Sequence, residues 1–309
     1  MVNTTQPRTY AAAHFALALD GAGDVGLFRS IEGGNVKADV MTYQSGPIYD
    51  RWRQLGKPKF EDIKLQVGMA MSQTFYAWIS QFFEGNPDRK NGSIIAADFY
   101  YKERARRDFT NAMICELNFP KLDGADKNAA FMGIGLAVEG MTFKPGDGNK
   151  IVQGKGWDPQ KLWTACNFRF RLDGFEQACT RVSKIDGFTI KMNVLEYHAG
   201  GHRAPIKTPS PIDFPNLTFY VPEADAQPFY NHVQKRIIAD KAEQPGRLTG
   251  MIQTYDNERA DLFTLEFSGA EIISVSPDKS DSSSEEIKQV KIEICTEKMK
   301  FTYLPKSIA

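Results

Sequence analysis

Apolar side chains fall on every second position at Phe15, Leu17 and Leu19, and again at Phe168, Phe170 and Leu172, where Arg169 and Arg171 stand between them. A period of two marks a strand with one buried face. Asp20-Gly21 and Asp173-Gly174 supply a turn after each. Residues 36–43, 63–67, 189–197 and 217–221 alternate in the same way. One segment changes period: Phe75, Trp78, Ile79, Phe82 and Phe83 recur at the spacing of an amphipathic helix. Ser72 is placed to cap that helix and Gly85-Asn86-Pro87 to end it. A second helix is predicted at Pro228, with Phe229, Val233 and Ile237 on its inner face. Further strands are predicted over 93–100, 109–117 and 130–143, with counterparts up to Tyr303.

The elements occur twice. Phe15-x-Leu17-x-Leu19-Asp20-Gly21 returns as Phe168-x-Phe170-x-Leu172-Asp173-Gly174, and Ile31-Glu32-Gly33 as Ile185-Asp186-Gly187. Val40-x-x-Tyr43-x-x-Gly46 returns as Val194-x-x-Tyr197-x-x-Gly200, and Pro58-x-Phe60-x-x-Ile63 as Pro211-x-x-Phe214-x-x-Leu217. Phe75-Tyr76 pairs with Phe229-Tyr230, Glu103-Arg104-Ala105 with Glu258-Arg259-Ala260, and Met141-x-Phe143 with Met299-x-Phe301. The offset drifts only from 153 to 158 along the whole length, which chance matches would not maintain. The expected organisation is therefore a duplicated domain: residues 1–143, a linker at 144–161 rich in Gly, Pro and Asp, and a diverged copy at 162–309. Each copy is expected to be mainly β, a barrel or sandwich with one packed α-helix.

At 309 residues the chain is long enough for each copy to bury its own core. Lysine plus arginine number 38, as do aspartate plus glutamate. That balance argues against a nucleic-acid binder, which needs a positive excess to displace counterions. Cys115, Cys166, Cys179 and Cys295 stand in no metal-ligand spacing and read as free, buried thiols of a reducing compartment. The N-terminus has no basic region followed by an apolar stretch, so no signal peptide is expected. No run approaches the ~20 apolar residues of a membrane span.

Motifs that could carry chemistry are weak. Gly21-Ala22-Gly23-Asp24-Val25-Gly26 spells G-x-G-x-x-G, but no helix follows to face a pyrophosphate, and a hairpin turn is the expectation. His198 and His202 flank two glycines, which deny them the helix that would align a metal pair. The run from Glu103 to Asp108 reads as a solvated turn and the run from Ser276 to Glu286 as a polar loop. No nucleophile elbow or paired carboxylates stand out. No catalytic, cofactor-binding or metal-binding residue is assigned.

The segments 46–59 and 200–213 resist that bland account. Each is too long for a hairpin turn and lacks a regular pattern, and the first carries Tyr49, Arg51, Trp52, Arg53, Leu55 and Lys57. Exposed aromatics and arginines on a long connection read as an interaction arm. The alternative is that Trp52 and Leu55 fold back on their own barrel. In the second copy the corresponding residues are His202, Arg203 and Ile206.

Taken in order, the Phe15–Gly21 motif, Ile31-Glu32-Gly33, Tyr43-Gln44-Ser45-Gly46, the stretch Leu55-Gly56-Lys57-Pro58-Lys59-Phe60-Glu61-Asp62-Ile63-Lys64-Leu65 and the helix with Trp78 resemble the tail-tube protein family of contractile-tailed phages and phage-like contractile injection systems. Glu139-Gly140 resembles that family's Glu-Gly near the last strand. The resemblance implies a small β-barrel forming six-fold rings that stack into a hollow tube, with other tube, sheath or baseplate proteins as partners. It implies assembly in the bacterial cytoplasm into a virion tail or tail-like particle; enzymatic activity is not expected, because no constellation of acid, base or nucleophile stands out in either copy. The second copy departs from the pattern: Pro205, Pro209, Pro211 and Pro215 crowd its arm, and the terminal Glu-Gly is missing. A tube-fold adaptor or effector that docks on or rides in the tube is the alternative function. The 18 residues of the linker span on the order of 20–25 Å. That reach favours three chains in a pseudo-six-fold ring over six chains in two stacked rings.

Overall fold

The computed structural model describes residues 11, 14–20, 23–44, 46, 51–69, 71–151, 163–239, 247–278 and 287–304. The first half runs β1 (His14–Leu19), β2 (Gly23–Phe28), β3 (Ser30–Gly33), β4 (Val36–Tyr43), β5 (Trp52–Phe60), β6 (Ile63–Val67), α1 (Gln73–Phe83), β7 (Lys90–Ala97), β8 (Glu103–Phe119), β9 (Leu122–Asp123), β10 (Met132–Ala137) and β11 (Gly140–Pro145). The second runs β12 (Phe168–Leu172), β13 (Lys184–Ile185), β14 (Phe188–Tyr197), β15 (Ile206–Asp213), β16 (Leu217–Pro222), α2 (Gln227–Val233), β17 (Leu248–Tyr255), β18 (Asp261–Pro277), β19 (Gln289–Cys295) and β20 (Lys298–Tyr303).

The long strand β8 is the spine of the first half. Its first part pairs with β7 and β11 and its second part with β10, all antiparallel. Asn111, at a φ of +51°, sits where β8 passes between the two groups of partners. The sheets β2-β1-β7-β8-β11 and β8-β10-β6-β3 wrap into a near-closed barrel around Leu17, Leu65, Ile94, Met113 and Ile134. The second half repeats the scheme with β12-β17-β18-β20 and β18-β19-β16-β13, and Gly269 takes the left-handed position on β18. Register is kept as well. The cross-sheet row Ile31, Leu65, Ile134, Leu117 reappears as Ile185, Phe219, Ile292, Val275.

Two local devices recur and fix the alignment of the copies. A Cβ on Gly92 would meet the ring of Phe109 at 2.7 Å, and one on Gly250 the ring of Phe267 at 2.4 Å, so both bulges need glycine. The Asp98 carboxylate accepts the N–H groups of Tyr100 and Lys102, and that of Asp256 accepts those of Glu258 and Ala260. Tyr101 and Arg259 take positive φ in these turns. Glu258-Arg259-Ala260 therefore matches Tyr100-Tyr101-Lys102, and the sequence pairing with Glu103-Arg104-Ala105 is corrected by a shift of three. The run from Glu103 to Asp108 is not a solvated turn but the start of β8. Glu103 is buried there and takes Arg106 in a two-pronged ion pair.

Other expectations need adjustment. Ser72 stands at the N-cap of α1, yet its hydroxyl makes no capping bond. Ile237 is exposed and lies in a π-turn (Gln234–Ile238) that follows α2, not on a buried face. Cys115 and Cys179 are buried, whereas Cys166 and Cys295 are half-buried. Gly23–Phe28 forms β2 against β1, as a hairpin requires. The start of the expected linker is not free: Lys144 and Pro145 end β11, and Gly146 and Ile151 donate backbone bonds to Arg104 and Tyr101. Residues 152–161, and most of the Ser276-to-Glu286 loop, lie outside the described residues.

Candidate assembly surface

In the stretch 113–119 of β8, Met113, Ile114, Cys115, Leu117 and Phe119 are buried, while Glu116 is half-buried and Asn118 exposed. A strand of that kind must have both edges covered. One edge takes β10. The other takes β14 of the second half, in the pairs Phe188↔Phe119, Ile190↔Leu117 and Lys191↔Glu116. The hairpin β14–β15 thus extends the first half's sheet. Phe119 and Phe188 stack at 5.0 Å, and Asn118 donates to the Thr189 hydroxyl at 2.8 Å. The short β9 pairs in turn with β13, so strands cross the boundary in both directions.

Polar contacts lock the hairpin in place. The Glu139 carboxylate accepts Arg89 at 2.9 Å, the Asn111 amide at 2.8 Å and the backbone N–H of Lys207 at 2.8 Å. Arg89 also donates to the Lys207 carbonyl. Arginine and glutamate therefore grip both backbone groups of one residue on β15. The Lys207 side chain is 6% exposed, and its ammonium donates to Asp62 at 2.9 Å and to the Phe60 carbonyl at 3.4 Å. The helix makes a further contact. Phe75, Ile79 and Phe82 face their own barrel, while Tyr76 stacks on Tyr303 at 3.7 Å and Phe83 lies 6.0 Å from Phe301, both on β20. Ser80 donates to the Phe301 carbonyl.

The expected arms are hairpins rather than irregular loops. β4 pairs with β5 and β14 with β15, so only residues 44–51 and 198–205 connect them. The alternation predicts β4 and β14 but misses their partners: β5 is exposed over most of its length, and proline breaks the pattern in β15. Trp52 opens β5 opposite Tyr43 and is 58% exposed, so it does not fold back on the barrel. Arg51, Arg53, Leu55 and Lys57 are exposed as well, and Tyr49 falls outside the described residues. His202 and Arg203 are exposed, and Ile206 begins β15 half-buried. One pair of these residues meets: the Lys57 ammonium donates to the His202 carbonyl at 3.3 Å, so the two arms touch.

The sequence pattern passes over Lys207 and Arg89. The Arg–Glu grip is nonetheless duplicated. Arg247 and Glu297 stand 158 positions after Arg89 and Glu139 and pair at 3.4 Å. The Glu297 N–H donates to Ser268 as that of Glu139 does to Thr110. The second copy therefore keeps the glutamate, and only its glycine is replaced, by Lys298.

Burial pushes the Cys115 and Cys179 thiols up to about 12, far from a usable thiolate. Among the described residues no group of three His, Cys, Asp or Glu could hold a metal ion, and no helix is long and apolar enough to cross a membrane.

The T4-like virus tail tube protein gp19 family matches this chain twice, over residues 11–142 and 164–300. No curated protein matches. Among solved structures, the tube-terminating cap of the anti-feeding prophage aligns at 20% identity and a TM-score of 0.40, over 47% of this chain and 99% of that one. A chain of the sheath-tube complex of the PVC extracellular contractile injection system aligns at 18% and 0.39, over 46% and 94%. A chain of the sheath/tube terminator of the PVC system aligns at 18% and 0.39, over 45% and 99%.

Proposed function

The chain belongs to the T4-like virus tail tube protein gp19 family, and from that premise we propose that it is a ring-forming component of a contractile tail or contractile injection system. It is a structural protein, not an enzyme. In this reading it forms part of the tube or a ring that starts or ends one, built in the bacterial cytoplasm as part of a virion tail or tail-like particle. Its partners are further copies of itself and other tube, sheath or baseplate proteins.

The observation that carries the reading is the joint between the halves. One barrel lends its hairpin to its neighbour's sheet, a head-to-tail contact whose two sides differ. Heterologous contacts of that kind close into rings when the rotation allows. The halves lie edge to edge rather than end to end, which supports a ring in which they alternate. Three chains then supply six barrels, and the rival arrangement places six chains in two stacked rings.

Electron microscopy of the purified protein tests this. Rings or rods with an open centre support assembly. Dispersed monomers that bind only to a preformed tube favour the second reading, an adaptor or effector riding on the tube. Native mass spectrometry counts the chains, with a trimer near three times 34.7 kDa as the expected species.

A further inference from the structure

The joint inside the chain uses one side of each half and leaves the complementary sides bare. The first half accepts: it offers the β8 edge, the Arg89–Glu139 grip and α1. The second half inserts: it offers the hairpin β14–β15 and β20. The accepting side of the second half is built from the same parts. Among the described residues no strand covers the second edge of β18 beyond Ala270. Arg247 and Glu297 are 64% and 57% exposed there, against 36% and 12% for Arg89 and Glu139. Ile237, which stands where Phe83 stands in α1, and Ile273, which stands where Cys115 stands in β8, are both exposed.

The inserting side of the first half is bare in the same manner. Its hairpin β4–β5 forms a two-stranded sheet of its own. Phe143 on β11 is 56% exposed, while Phe301, its counterpart on β20, is 2% exposed under α1. Arg53 is the second residue of β5, opposite Thr42, as Lys207 is the second residue of β15, opposite Glu196. A monomeric protein rarely leaves so much apolar surface open on two matched faces.

We propose that the occupant of each face is a second copy of this chain. Its β4–β5 hairpin lies along the free edge of β18 as β14–β15 lies along β8, with the Arg53 backbone held by Arg247 and Glu297 and β11 laid on α2. The Arg53 guanidinium then reaches Asn216 and Glu293, which pair with each other at the place where Asp62 and Gly135 stand in the first half. This rests on the ring-forming reading and specifies its intermolecular contact.

The register is testable because the internal joint gives it. Lys191 pairs with Glu116, and their counterparts are Lys37 and Ser274. The full-length protein carrying Lys37→Cys with Ser274→Cys is expected to form covalent multimers on mild oxidation, seen on a non-reducing denaturing gel, while each single variant forms none. Arg247→Ala with Glu297→Ala, at two exposed positions, is expected to abolish rings in native mass spectrometry and leave the thermal melt unchanged. Rings in which the cysteine pair fails to link, or rings that survive loss of the Arg–Glu grip, overturn this contact and leave ring formation standing. A wild-type chain that stays monomeric at every concentration overturns both.

Discussion

The pair Lys207–Asp62 makes an asymmetric demand on stability. The lysine side chain is 6% exposed and the aspartate 46%, with 2.9 Å between their charged atoms. Asp62→Ala strands a buried ammonium with one remaining acceptor, the Phe60 carbonyl at 3.4 Å. Breaking a fully buried pair costs about 3–5 kcal/mol; water at Asp62 weakens this one, so about 2–3 kcal/mol is expected. Lys207→Met keeps the apolar stem in place and leaves behind only a carboxylate that water can solvate. Its cost is expected near 1 kcal/mol. Urea unfolding of the two variants gives the comparison, and hydrogen exchange at the β15 amides reports whether the hairpin has lifted. Equal costs, or a costlier Lys207→Met, would show that the ammonium is solvated and that the hairpin does not sit on the first barrel.

Three further outcomes are expected. Phe82→Ala empties a fully buried site beneath α1 and should cost about 3–5 kcal/mol by chemical denaturation; a cost below about 1 kcal/mol would refute the packing. Trp52→Ala with Arg51→Ala should leave a cooperative melt intact and remove rings from electron micrographs, whereas a lost melt would place Trp52 in a core. Burial, reinforced by Arg236 and by Lys235 and opposed by Glu271, holds His232 below its ordinary value of 6.5. The unfolded chain then takes up the proton first as pH falls, so stability is full above about 6.5 and declines below it. His232→Gln should flatten that slope in melts between pH 7 and 5; an unchanged slope assigns it to other groups.

The barrels were legible in the chain because their strands bury one face, and burial writes the period of two that Phe168, Phe170 and Leu172 display. Of the hairpin β4–β5, the strand β5 left no such trace, since most of it meets solvent and no face selects apolar residues. In β15, Pro209 and Pro211 interrupt the alternation where Lys207 has turned inward. The joint was hidden for another reason. Lys207 is one lysine among many, and its burial depends on a carboxylate 145 residues away. Arg89 and Arg247 could have been found, but only with the copies aligned at an offset of 158. The mismatch at Glu103 obscures that offset, because a charged turn resembles a charged strand until the Asp98 and Asp256 turns are seen.

The shared strand β8 also constrains how the chain can be made. Its segment from Glu116 to Phe119 finds its second partner only in β14, about seventy residues later in the chain. During synthesis the first barrel stands for that interval with an open, greasy edge, a template for mispairing with any other nascent strand. Severing the chain between the copies would make the exposure permanent. The second barrel covers that edge but presents the equivalent edge of β18 in its place, so among the described residues the duplication moves the open edge to the second copy.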